Sequence, residues 1–191
     1  MNTQNTKKQL GYTLIELSIG LAITSMVLVG VVAGVQKMME QVNVNRSVNQ
    51  IASAVDKIRM IIKRDGDTSF VTLANMTSPT RNAFATSNVT NPGAANAQAF
   101  NALGNRMILW TTALGWGVTN QDFRIQLLSV TPNSCIELSA ALEGLASAVY
   151  VNDGQWQTLK EERNAVVFSA SEARRLCPTN RNSELAFEFL K

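Results

Sequence analysis

Histidine is absent from this 191-residue chain. With it go the commonest general base near neutral pH and the commonest zinc ligand. No Ser–His pair, HExxH motif or Cys2His2 site can be assembled from what remains. GxSxG, SxxK, P-loop and GxGxxG patterns are missing too, so no catalytic residue, metal-ligand set or cofactor cradle stands out, and the chain reads as a non-enzyme without a cofactor. Basic tracts are also missing. The formal charge is +3, but setting aside the leader lysines Lys7 and Lys8 leaves 15 basic against 14 acidic side chains. Charge gives a nucleic-acid role no support. Cysteine is limited to Cys135 and Cys177, and proline does not occur before Pro79.

One long stretch lacks charge almost entirely. Residues Tyr12 to Val35 are an apolar run with Glu16 as the only charged side chain. About 20 apolar residues suffice to span a bilayer as a helix. A carboxylate inside such a span is costly and marks function by default, because it needs a partner. Two bland readings compete. A secretory signal has a shorter apolar core with an A-x-A-like site after it; this run is too long, and no such site follows. An ordinary single-pass anchor fits the length but leaves Glu16 unexplained. Lysines ahead of the span and none within it place the leader on the cytoplasmic side, and everything after about residue 36 beyond the membrane.

The flanks of the span suggest the partner. A short leader, Met1 to Gly11, carries Lys7 and Lys8 and is followed by Gly11-Tyr12-Thr13-Leu14-Ile15-Glu16. This resembles the prepilin signature of type IV pilins: basic leader, cleavage-site glycine, hydrophobic stretch, glutamate at the fifth mature position. The resemblance implies cleavage between Gly11 and Tyr12, N-methylation of Tyr12, and pairing of Glu16 with the Tyr12 amine of a neighbouring subunit. Paired charge in low dielectric is the physics such a role needs.

The remaining pattern divides the chain further. Gly30 and Gly34 form a GxxxG pair, a spacing that lets helices approach closely in lipid. Glycine's tolerance in membrane helices is the plain alternative. After Val35 the pattern becomes a stripe: Val48, Ile51, Val55, Ile58 and Ile62 recur every three or four residues, with Arg46, Asp56, Lys57, Arg59 and Lys63 largely elsewhere. An amphipathic helix follows for 36–64, with Gly66 suited to its C′ position. Residues 65–105 are rich in Asn, Thr, Ser and Ala and read as a loop, long enough to suggest a function. Strands are expected at Met107–Thr112, Phe123–Val130, Ala148–Val151, Ala165–Phe168 and Leu185–Leu190. Helices are expected at Pro132–Leu145 and at Ser169–Leu176, where Ser169 or Ser171 offers a cap. The fold class is therefore α+β, a long N-terminal helix whose amphipathic half packs on an antiparallel sheet. Beyond the membrane, in an oxidising compartment, Cys135 and Cys177 read as a disulfide, two unrelated buried thiols being the alternative.

A second resemblance covers the C-terminal half. Asn133-Ser134-Cys135-Ile136-Glu137-Leu138, Ser169-Ala170-Ser171-Glu172-Ala173-Arg174-Arg175-Leu176-Cys177 and the closing Glu184–Lys191 segment are similar to the cysteine-bounded D-region of type IVb pilins, bundle-forming and toxin-coregulated pilins among them. The resemblance implies the type IV pilin fold, with leader 1–11, filament-core helix 12–35, αβ loop 65–105, and a globular region 106–191 holding the D-region 135–177. It also implies a structural major subunit, polymerising with itself into a surface filament for adhesion, aggregation and motility. The implied partners are a prepilin peptidase and methyltransferase, an assembly ATPase, a platform protein and a secretin. The prepilin would sit in the bacterial inner membrane and then in the extracellular fimbrium. Minor pilins and type II secretion pseudopilins share the same N-terminus. A pilus-borne DNA receptor would need exposed basic and stacking groups, for which Trp110, Trp116, Trp156, Arg174, Arg175 and Arg181 are the candidates.

Overall fold

A computed structural model describes residues 13–65, 89–90, 98–111 and 122–190. Its first element is helix α1, Leu14–Asp65. The chain divides into two compact units, Met1–Gln41 and Val42–Lys191.

In the first unit α1 buries nothing. Every described side chain from Thr13 to Met39 is exposed, including Leu14, Ile15, Leu17, Leu21, Leu28 and Val29. Apolar residues on all sides leave no polar face to turn toward water. The hydroxyls in this stretch bond back to their own helix: Ser18 Oγ to Ile15 O at 2.8 Å, Thr24 Oγ1 to Gly20 O at 2.8 Å, Ser25 Oγ to Ala22 O at 2.8 Å. Polar atoms are thus satisfied without water.

In the second unit the same helix has a buried stripe. Val44, Ser47, Ile51, Ala54, Val55 and Ile58 are buried, and Val48 packs partly against the core, while Arg46, Asp56 and Lys63 stay exposed. The side chain of Ile62 and the position of Gly66 lie outside the described residues. The stripe sits in a core shared with an antiparallel sheet. Its strands are β1 Val89–Thr90, β2 Gln98–Phe100, β3 Arg106–Thr111, β4 Asp122–Val130, β5 Ala148–Asn152, β6 Trp156–Glu161 and β7 Ser183–Leu190, in the order β1-β2-β3-β4-β7-β5-β6. The last strand in sequence is inserted between β4 and β5, so β7 is buried along Leu185–Phe189.

Register sorts the two faces. Ile125 pairs with Phe187, Leu127 with Leu185 and Phe123 with Phe189, and all six are fully buried; the Phe123 and Phe189 rings stack at 5.4 Å. The alternate positions carry Arg124, Gln126, Glu184, Ala186 and Glu188. Arg124 and Glu188 lie directly opposite each other on β4 and β7 and pair at 2.8 Å with little exposure. Arg163 bonds Asp122 and approaches Glu188 at 3.9 Å. The Arg124 guanidinium lies 4.7 Å from the Tyr150 ring centroid. Burial first, then the Glu188 charge, pushes the Tyr150 phenol up to about 12.

Two helices complete the unit: α2, Pro132–Leu142, and α3, Ala170–Leu176. Pro132 starts α2 where a proline costs no hydrogen bond. It ends three residues earlier than the apolar spacing suggests, in a turn closed by Leu145 N and Ala146 N on Leu142 O, both at 3.0 Å. Lys160 reaches over from β6 and donates to the Ala146 carbonyl at 2.9 Å and to that of Glu143, a cation at a helix C-terminus. Ser169 is the N-cap residue of α3 but makes no side-chain cap bond; its hydroxyl meets that of Ser171 at 2.7 Å instead.

Three expectations need correction. Residues Ala165–Phe168 are not a strand. A 3-10 turn, Glu162–Asn164, leads into Ala165 at φ 55, and only Val166 bridges back to Glu161. The 65–105 segment is not loop throughout, since β1 and β2 extend the sheet there. And β6, which was not expected, forms a hairpin with β5 across Asp153, Gly154 and Gln155, the glycine sitting at φ 95 where a side chain is disfavoured.

Candidate functional site

Gly11 and Tyr12, the expected cleavage and methylation positions, lie outside the described residues. Glu16 does not, and its surroundings are specific. Thr13 N donates to Glu16 Oε2 at 3.0 Å and Thr13 Oγ1 to the same oxygen at 3.0 Å, while Glu16 N donates to Thr13 Oγ1 at 3.3 Å. This is a capping box: the residue ahead of the first turn and the third residue inside it satisfy one another's backbone donors. Glu16 also stands where the helix dipole favours a negative charge. Thr13 was not singled out from the sequence, although Thr13-Leu14-Ile15-Glu16 spells the T-x-x-E signature. Both carboxylate bonds fall on Oε2, and the carboxylate is thereby partly compensated within its own chain.

Gly20, Gly30 and Gly34 have open surroundings. A methyl group added at any of them would meet nothing within 4 Å, so no packing among the described residues demands glycine there. The first half of α1 is long and apolar enough to cross a membrane.

The second candidate feature is the cysteine pair. Cys135, in the first turn of α2, and Cys177, the C-cap of α3, are joined by a disulfide with Cα atoms 5.9 Å apart. Both are buried in the core beside Leu138, Ala173 and Leu176, and the bond locks α2 to α3. Among the described residues no group of three or more His, Cys, Asp or Glu side chains is arranged to hold a metal ion.

Several of the groups a DNA receptor would need are engaged elsewhere. Trp110 Nε1 donates to Gln126 at 2.6 Å, Trp156 is half-buried, and Trp116 lies outside the described residues. Arg181 pairs with Asp153 and Arg175 with Glu172, whose carboxyl is held below its usual range by that hydrogen bond. Arg174 is exposed. The described residues among these do not make a basic stacking surface.

Residues 6–32 match the family described as the prokaryotic N-terminal methylation motif. No curated protein matches the chain. Among solved structures, the type IVb pilin from Salmonella typhi superposes with a TM-score of 0.54 at 18% identity, covering 79% of this chain and 99% of that one. TcpA, a type IV pilin from the Vibrio cholerae El Tor biotype, superposes with a TM-score of 0.55 at 13% identity, covering 76% and 98%. The fold is that of type IVb pilins, as the cysteine-bounded region led one to expect. With the methylation motif at its N-terminus, the chain is type IV pilin-like.

Proposed function

We propose that this chain is the major structural subunit of a type IVb-like pilus, made as a prepilin. Cleavage after Gly11 and methylation of Tyr12 would precede its polymerisation with other copies of itself. The observation that carries this reading is the first half of α1. It presents an exposed, predominantly apolar surface whose serine and threonine hydroxyls bond back to the helix, with one capped carboxylate, within a methylation motif. Such a helix is stable in lipid before assembly and in the core of a filament after it, and in water only at great cost. Glu16 Oε1 carries neither capping bond, which leaves it to receive the Tyr12 ammonium of a neighbour. Gly20, Gly30 and Gly34 supply the close approach that packed helices need. A prepilin peptidase and methyltransferase, an assembly ATPase, a platform protein and a secretin are the machinery this reading calls for.

The test is an intact mass of the protein from sheared surface fibres. A mass lacking Met1 to Gly11, with one methyl added and two hydrogens removed, is expected. A full-length species confined to the membrane would overturn the reading in favour of a plain anchor. Stoichiometry in the same fraction separates major subunit from minor pilin or pseudopilin. A Glu16→Ala variant should stay membrane-inserted yet lose fibre yield by about tenfold or more, because the docking amine is left charged and unpaired in low dielectric. Normal fibres from it would remove Glu16 from the mechanism.

A further inference from the structure

At the β5–β6 hairpin the globular unit holds a polar cavity of about 270 Å³, whose wall includes Ser129, Asn152, Asp153, Arg181, Asn182 and Glu184. No apolar side chain lines it. Its acceptors are positioned from behind. Trp110 Nε1 donates to Gln126 Oε1 at 2.6 Å, Gln126 Nε2 to Glu184 Oε2 at 2.9 Å, and Asn152 Nδ2 to that same oxygen at 3.1 Å. Both bonds to Glu184 fall on Oε2, so Oε1 accepts none among the described residues. Asn152 Oδ1 is buried and likewise lacks a partner, a state that native proteins seldom leave unexplained. The rim is pinned as well. Ser129 sits at φ 59 in the bulge between Leu127 and Val130, and its carbonyl accepts Asn105 Nδ2 at 2.9 Å. Asn105 is itself buried and donates its backbone N–H to Asn101 Oδ1 at 2.8 Å. Bulges and left-handed non-glycine residues gather at functional sites, where the surroundings hold them in place.

The charges select the ligand. Arg181 pairs with Asp153 at 2.5 Å and keeps 61% of its side chain in solvent. A guanidinium there opposes a metal ion, and among the described residues no three acidic side chains converge. Asp153 and Glu184 oppose an anion. A neutral ligand with several hydroxyls suits every group at once, because each hydroxyl can donate to a carboxylate or amide oxygen and accept from a guanidinium. Trp156 lies directly opposite Asn152, and Asn152 directly opposite Glu184, on neighbouring strands. All three therefore share one side of the sheet. The half-buried indole of Trp156 offers an apolar surface to the C–H face of a sugar ring. We propose that this cavity binds one neutral pyranose, the end of a glycan chain. Two adjacent hydroxyls lie across Glu184 Oε1 and Asn152 Oδ1, and the ring rests toward Trp156. The site is contained in one copy of the globular unit, so it stands apart from the polymerisation reading.

The test titrates the full-length protein, held in a zwitterionic detergent without a sugar head group, and follows tryptophan fluorescence. The probes are the methyl pyranosides of glucose, galactose, mannose and N-acetylglucosamine, and the corresponding free sugars. At least one methyl glycoside should bind saturably with a Kd of about 1 mM, the affinity expected of so small a ligand. Trp156→Phe should remove most of the fluorescence change; a signal that survived it would take Trp156 out of the site. Glu184→Gln keeps the shape of the side chain and should raise Kd about tenfold, through loss of a charge-assisted hydrogen bond. Arg181→Ala is the second variant, chosen because its side chain is exposed and outside the core, and should raise Kd about fivefold. Absence of saturable binding by every probe overturns the proposal, as does a Kd unchanged in both Glu184→Gln and Arg181→Ala. Binding of free sugars without their methyl glycosides would overturn the chain-end assignment.

Discussion

The two units are both rich in apolar residues and put them to opposite use. From Thr13 to Met39 no described side chain is buried, whereas beyond Val42 Ile51, Val55, Ile58, Phe123, Phe187 and Phe189 are wholly sequestered. Composition does not separate these cases. The placing of charge does. Arg46, Asp56 and Lys63 recur on one side of the helix and leave a stripe to bury, while a run interrupted only by Glu16 has no side to show to water. One unit is made stable by its own core, the other by a surrounding it does not contain.

The sharpest way to break this comparison is the disulfide. Closing a loop across a sequence separation of 42 is worth about 4 kcal/mol in the chain-entropy account. Cys135→Ser with Cys177→Ser should lower the unfolding free energy of the globular unit by about that amount, read by denaturant titration. Membrane retention of the first unit should not change. If the double variant left stability intact, the α2–α3 link would be incidental to the core.

A smaller effect tests the other unit. Thr13→Val removes both hydrogen bonds of the Thr13 hydroxyl, leaves the backbone bond of Thr13 N to Glu16, and should weaken the start of α1 by about 1 kcal/mol. Amide exchange of the first helical turn in detergent should quicken about fivefold, with no change in the globular melting curve. Unchanged exchange would mean that Glu16 does not depend on Thr13 for its position.

What could be read in advance follows the same division. The membrane-length run, Glu16, the Ile51-Val55-Ile58 stripe and the strands that hold Met107 and Phe123 were legible, because periodicity and lone charges are local signals. The position of β7 was not, for its placement between β4 and β5 is a long-range choice; only the alternation of Leu185, Phe187 and Phe189 was visible. Ala165–Phe168 has strand composition, yet the left-handed Ala165 turns the chain away after one bridge. The β6 strand, Trp156–Glu161, has a single fully buried residue, Leu159, and an edge strand needs little more apolar patterning than that. Thr13 was overlooked because Glu16 was read for its charge alone; the spacing of the two residues held the information.

The smallest effect concerns the polar face of the sheet. Tyr150 lies against Arg124 within the Glu188 network, and burial with that nearby negative charge lifts its phenol from 10.0 to about 12. The unfolded chain therefore releases this proton first as the solution becomes alkaline. The contribution to stability is fully present below the unfolded value and is lost as pH rises through the folded one. Denaturant midpoints of the globular unit should fall between about pH 10 and 12, and Tyr150→Phe should flatten that fall while leaving the midpoint near neutrality almost unchanged. The first unit has no counterpart to this response among its described residues, since Glu16 is its sole charge before Lys37. A steep alkaline loss that survived Tyr150→Phe would show that the half-buried phenol is not its cause.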